Sequence, residues 1–205
     1  MQPMLRRALA RYEEALLASP YRTKALTASC ISACGDTMVQ LSTSPADSEL
    51  DRVRTARQAF WSLSVSPVMH NWFRLLDHVR PIGPVPASVV SVVLDQLFFS
   101  PPVHCVYFSW IASASSGFTL SVSEIKDKVS EKLLPALTAS LAIWPAAIYF
   151  TVTHVPLPYR VLSTNIVGLG YGMLMSWMAN SHREEPVPIA EPAGRLKRSD
   201  SGMHR

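Results

Sequence analysis

Asp36 and Asp95 are the residues of this chain best placed to do chemistry, because each stands in a run of apolar and small residues where a carboxylate is expensive. A carboxylate near the middle of a bilayer costs about 2.5 to 3.5 kcal/mol even on insertion-based scales, so it must face a partner, a bundle interior or water. Gln40 lies four residues after Asp36 and shares its helix face; Gln96 follows Asp95 directly. Carboxylates and amides on inward faces can line a hydrophilic path for cations or small polar solutes. The same groups can instead pair with a base or a backbone N–H and simply hold helices together. Two close aspartates could also share a proton and activate water, as in an aspartyl protease. Gly35-Asp36 and Leu94-Asp95 lack the longer flanking signatures of such enzymes, which ranks that reading last.

Other reactive side chains point to structure. His70, His104 and His154 sit in apolar contexts, and no two of them have the i, i+4 spacing of a metal pair on one helix. Cys30 and Cys34 share a helix face but suit close helix packing. The tryptophans, Trp72 among them, read as interface belts and packing. No phosphate loop, nucleophile elbow or zinc signature is present, so neither enzymatic activity nor a cofactor, a metal or a nucleic-acid partner is expected.

The elements that must position the aspartates follow from charge. The chain has 205 residues, 48% of them apolar and 17% charged, with 19 Lys and Arg against 15 Asp and Glu. Soluble domains carry about 25% charge. Asp95 is the single formal charge between Arg80 and Glu124, and there is none from Lys132 to Arg160 or from Arg160 to Arg183. Uncharged runs of about 20 residues can cross a hydrocarbon core as helices, so an all-α, multi-span membrane bundle is predicted.

Residues 1–182 then form one domain. An interfacial helix over 5–18 ends at Ser19-Pro20, since the residue before proline avoids helical geometry. Spans are predicted at about 24–41, 56–76, 87–112 and 133–153. The 56–76 span should kink at Pro67, and the 87–112 span carries Pro101-Pro102. Residues 42–51 are a polar loop, and Pro81, Gly83, Pro84 and Pro86 mark a turn. Val122, Ile125, Val129 and Leu133 repeat among charged residues, with Ser121 and Glu124 spaced as a capping box, so 119–133 reads as a surface helix. The 160–180 stretch is long enough to cross but rich in glycine and polar residues, leaving four or five spans. Residues 183–205 read as a disordered tail, with a weak basophilic phosphosite pattern at Ser199. Lys and Arg divide about 8 to 7 between the two sides, which sets no orientation. The N-terminal segment lacks the apolar core of a secretory signal, and Arg6, Arg7 and Arg11 favour mitochondria over peroxisomes.

The order of these marks is specific where no single one is. Tyr12, Leu16, Pro20 and Thr23 are followed by Gly35-Asp36 and Gln40. Next come Asp51, Arg54, Arg57, Pro67, His70 and Trp72-Phe73, then Asp95-Gln96 with Pro101, and last Trp144-Pro145, Pro156 and Arg160. In that order the chain resembles the 22-kilodalton peroxisomal membrane protein family, also called the Mpv/PMP family, which includes a mitochondrial inner-membrane branch. The resemblance implies a small multi-span organelle membrane protein. Asp36, Gln40, Asp95 and Gln96 would line a weakly selective channel for small solutes, with the bilayer, and in some assemblies a second copy, as partners. The resemblance implies either the mitochondrial inner membrane or the peroxisomal membrane, and Arg6, Arg7 and Arg11 put the first ahead. Phe60, Ser62 and Ser66 replace family glycines, Ser91 a lysine, and Ile148, Thr151-Val152 and Tyr171-Gly172 more polar residues or Trp-Asn, so a pore role would be weaker here.

Overall fold

The computed structural model describes residues 2–43 and 49–181. The predicted tail with Ser199, and residues 44–48 of the polar loop, lie outside the described residues. Among the described residues seven α-helices run in order: α1 (Gln2–Ala18), α2 (Pro20–Thr43), α3 (Arg52–Leu76), α4 (Ala87–Leu94), α5 (Ser100–Ser115), α6 (Val122–His154) and α7 (Arg160–Ser181). A π-helical turn, Asp95–Phe99, joins α4 to α5, and a 3₁₀ turn, Leu157–Tyr159, precedes α7. Among the described residues there is no β-strand, only an isolated bridge between Ile82 and Val85 around Gly83, whose φ of 57° suits glycine.

Local chemistry sets most boundaries. Pro20 opens α2 at a first-turn position, where its missing N–H costs nothing. Asp51 caps α3 by accepting from the Arg54 N–H at 2.9 Å. α3 runs on through Pro67 as one element.

The π turn follows from two adjacent prolines. Pro101 and Pro102 have no N–H to give to the carbonyls of Leu97 and Phe98, four residues earlier. The ladder widens there, and the Ser100 N–H reaches back five residues to the Asp95 carbonyl.

The structure revises one expectation. The surface helix over 119–133 and the span over 133–153 are one helix, α6, which continues through Pro135 and Pro145. Ile125, Val129, Leu133, Ala136, Ser140, Trp144, Ile148 and Thr151 are steps of three or four along one face, all at least partly buried. The amphipathic stripe of the charged part is therefore the inward stripe of the apolar part, and nothing breaks it. Val122, by contrast, points outward. The capping box is formed: the Glu124 carboxylate accepts from the Ser121 N–H at 2.7 Å, and the Ser121 hydroxyl oxygen accepts from the Glu124 N–H at 3.4 Å. Ser121→Ala is expected to fray only the first turn, read as severalfold faster amide exchange at 122–124 with exchange beyond Leu133 unchanged.

Outward faces are apolar and inward faces are small. Two helical stretches among the described residues, Ala87–Ser115 and Val122–His154, are long and apolar enough to cross a membrane. Only 17% and 11% of their apolar windows are buried, so their apolar side chains face outward, the reverse of a soluble core helix. Buried positions include Ser66, Ser91, Ser100, Ser140, Thr151 and Thr164, around an apolar cluster of Phe73, Leu76, Ile148 and Val161. Small residues let helices approach closely where lipid gives no hydrophobic drive to associate. Gly35 serves this directly, since a Cβ there would run into the Leu169 side chain of α7.

Candidate functional site

A partly open cavity of about 560 Å³ lies between the helices, walled by α2, α3, the π turn, α5, α6 and α7. Asp36 and Arg54 line one end of it, and Trp72 and Asp95 the other. Thr55 and Trp72 are seventeen residues apart on α3, which is about 26 Å along its axis at 1.5 Å per residue. The two carboxylates thus mark opposite ends of one long space.

Asp36 is bound on every side. Its Oδ1 accepts from Arg54 Nε at 2.9 Å, and its Oδ2 from Gln40 Nε2 at 2.7 Å and Thr55 Oγ1 at 2.7 Å. The Asp36 side chain is 6% exposed and that of Arg54 46%, so the cation reaches outward. Gln40 extends the cluster: its Oε1 accepts from the Asp51 N–H at 2.7 Å and its Nε2 donates to the Asp51 carbonyl at 3.2 Å. The end of α2 is thereby clasped to the capping turn of α3.

Among the described residues no cation pairs with Asp95. It is 4% exposed, held by Trp72 Nε1 at 2.7 Å and Gln96 Nε2 at 3.0 Å. The ion pairs among the described residues are Arg54–Asp36 and Arg160–Asp77. Trp72 is itself fixed by stacking on Phe99, with ring centroids 4.9 Å apart. A buried carboxylate with neutral donors only leaves its field uncompensated inside the cavity, a feature that attracts cations. Ser140 Oγ and Asn165 Nδ2, both of residues in the cavity wall, have no partner among the described residues, so a polar occupant within reach could satisfy them.

The remaining sequence-predicted residues have structural places. Gln96 orients Asp95 and does not line the cavity, and Gln40 stands behind Asp36. Arg57 offers its carbonyl to Trp110 Nε1 at 3.3 Å. Trp144 lines the cavity one residue before Pro145, its ring centroid 6.0 Å from that of Tyr171. Pro67 and Pro101 lie within α3 and the first turn of α5. Arg160 ties the end of α6 to Asp77 beyond α3. His70 accepts from Lys24 Nζ at 2.8 Å. Sequence reasoning passed over Lys24, Thr55 and the pair Gln58–Tyr107, 3.0 Å apart. Their partners lie 46, 19 and 49 residues away in the chain, so no local spacing signals them.

The family model described as Mpv17 / PMP22 family matches residues 119–176, which is α6 and most of α7. Protein SYM1 of Gibberella zeae is 32% identical over 171 residues, covering 82% of this chain and 94% of its own. PXMP2/4 family protein 1 of Dictyostelium discoideum is 28% identical, covering 82% and 83%. The protein of Xenopus laevis named mitochondrial inner membrane protein Mpv17 is also 28% identical, covering 82% and 95%. No solved structure matches.

Proposed function

The chain belongs to the Mpv17 / PMP22 family, and on that premise we propose that it is a non-enzymatic, multi-pass protein of the mitochondrial inner membrane forming a weakly selective path for small solutes. A relative named for that membrane, together with Arg6, Arg7 and Arg11, supports this compartment over the peroxisomal membrane. In this reading α2, α3 and α7 cross the bilayer beside the α4–α5 unit and α6. Their lengths of 24, 25 and 22 residues correspond to at least about 33 Å, enough for a hydrocarbon core.

The observation that carries the proposal is Asp95: a buried carboxylate lining a long cavity between the helices, with no basic partner among the described residues. Reconstituted protein in planar bilayers is expected to conduct small ions with a modest preference for cations. Asp95→Asn keeps the size of the side chain while removing the charge, and should lower the cation-to-anion permeability ratio severalfold. Folded protein that shows no conductance in a bilayer would overturn the proposal. A second, non-conducting structural role is favoured by Asp36, whose carboxylate is fully occupied with joining α2 to α3. That role predicts that substitutions at both aspartates change stability and leave permeability untouched.

A further inference from the structure

A second cleft, of about 320 Å³, opens where the C-terminal end of α1, the start of α2, the end of α3 and the turn before α7 meet. Lys24, His70 and Arg74 supply its polar side, and Leu17, Leu157 and Pro158 are among its apolar walls. Lys24 is 3% exposed, and among the described residues its ammonium makes one hydrogen bond, to His70 Nδ1. Neither ion pair among the described residues involves Lys24 or Arg74. Glu13, on α1, lies against the Tyr159 hydroxyl instead. A buried ammonium is costly unless an anion or several acceptors meet it, and Lys24 keeps two N–H donors for one.

We propose that this cleft holds the phosphate of an anionic phospholipid, with Lys24 and Arg74 as its ligands. The phosphate oxygens would accept from Lys24 Nζ and the Arg74 guanidinium, which projects from the last turn of α3. The site lies at helix ends, the level of headgroups for a bundle that sits in a membrane. Leucine and proline walls cannot hydrogen-bond a free, hydrated phosphate dianion. They suit the glycerol esters and first methylenes of a lipid, and Leu17, 75% exposed, continues the apolar surface outward.

The proposal is independent of conduction and is tested by binding. Full-length protein in neutral detergent is titrated with dioleoyl-phosphatidylglycerol, dioleoyl-phosphatidylcholine or inorganic phosphate at equal phosphorus. Native mass spectrometry reads adducts, and thermal melting reads stabilisation. Phosphatidylglycerol is expected to form a single preferred adduct and raise the melting temperature, whereas phosphatidylcholine and inorganic phosphate do so weakly. Lys24→Met should weaken that adduct about tenfold and Lys24→Arg should keep it, as expected for loss of one charge-assisted hydrogen bond. Arg74→Gln, at an exposed position that leaves the fold intact, should weaken it severalfold and decides the matter if Lys24→Met does not fold. Equal retention of phosphatidylglycerol by wild type, Lys24→Met and Arg74→Gln would overturn the site. Equal stabilisation by inorganic phosphate would overturn the lipid in favour of a free anion, and equal binding of phosphatidylcholine would overturn the charge recognition.

Discussion

Asp36→Ala is expected to lower the stability of the folded protein in detergent by about 2 to 3 kcal/mol, read as a large drop in melting temperature. Removing one partner of a buried ion pair typically costs about 3 to 5 kcal/mol, because the other charge is left uncompensated. Arg54 is 46% exposed and can turn toward water, which brings the figure down. The Gln40 amide and the Thr55 hydroxyl both lose their shortest bond, made to the same Asp36 oxygen, and keep only longer ones such as those to the Asp51 carbonyl at 3.2 and 3.3 Å. Asp36→Asn, which keeps an acceptor for them, should cost less than Asp36→Ala. Combining Asp36→Ala with Arg54→Met should cost less than the sum of the two, because the second change removes the stranded charge. A stable Asp36→Ala protein with altered permeability would show that this end of the cavity serves the path and not the clasp.

The parts of this architecture that sequence makes legible are those governed by short spacing. Gln40 four residues from Asp36, and Ser121 three before Glu124, are set by helix geometry alone, and both pairs form. Arg54 is different. It stands among Arg52 and Arg57, and only the packing of α2 on α3 selects it as the partner of Asp36. Trp72 reads in sequence as belt or packing, but its indole N–H reaches Asp95 because the π turn swings that carboxylate against α3. The prolines responsible for the turn are visible in sequence; their consequence appears only by tracing which carbonyls they leave without a donor. α6 misleads for the opposite reason. Six charges between Glu124 and Lys132 suggest a separate surface helix, yet the partly buried stripe passes without a break from Ile125 to Thr151. Local charge density and the continuity of a helix face are separate signals, and here the second decides where the element ends.

Arg160→Lys is expected to destabilise the protein almost as much as Arg160→Ala, by about 2 to 4 kcal/mol, from the loss of two charge-assisted hydrogen bonds to half-buried carbonyls. The reason begins with Pro156. A continuing helix would have residue 156 donate its N–H to the Val152 carbonyl, and proline has none to give. Arg160 replaces it: Nη2 donates to the Val152 carbonyl at 3.3 Å and Nε to the Val155 carbonyl at 3.1 Å. Nη1 then meets Asp77 Oδ1 at 3.0 Å, joining the end of α3 to the α6–α7 turn. The side chain is 9% exposed, so water cannot substitute freely at the carbonyls. A lysine ammonium is a compact charge that can hold the Asp77 contact, worth about 0 to 1 kcal/mol at a half-exposed carboxylate, but not three acceptors at once. Thermal melting in detergent, with limited proteolysis at the 155–158 turn, separates the possibilities. Arg160→Lys melting like wild type would mean that charge alone suffices there. Melting close to Arg160→Ala, with faster cleavage at the turn, would show that Pro156 and Arg160 act as one unit, the proline ending α6 and the arginine closing the carbonyl it exposes.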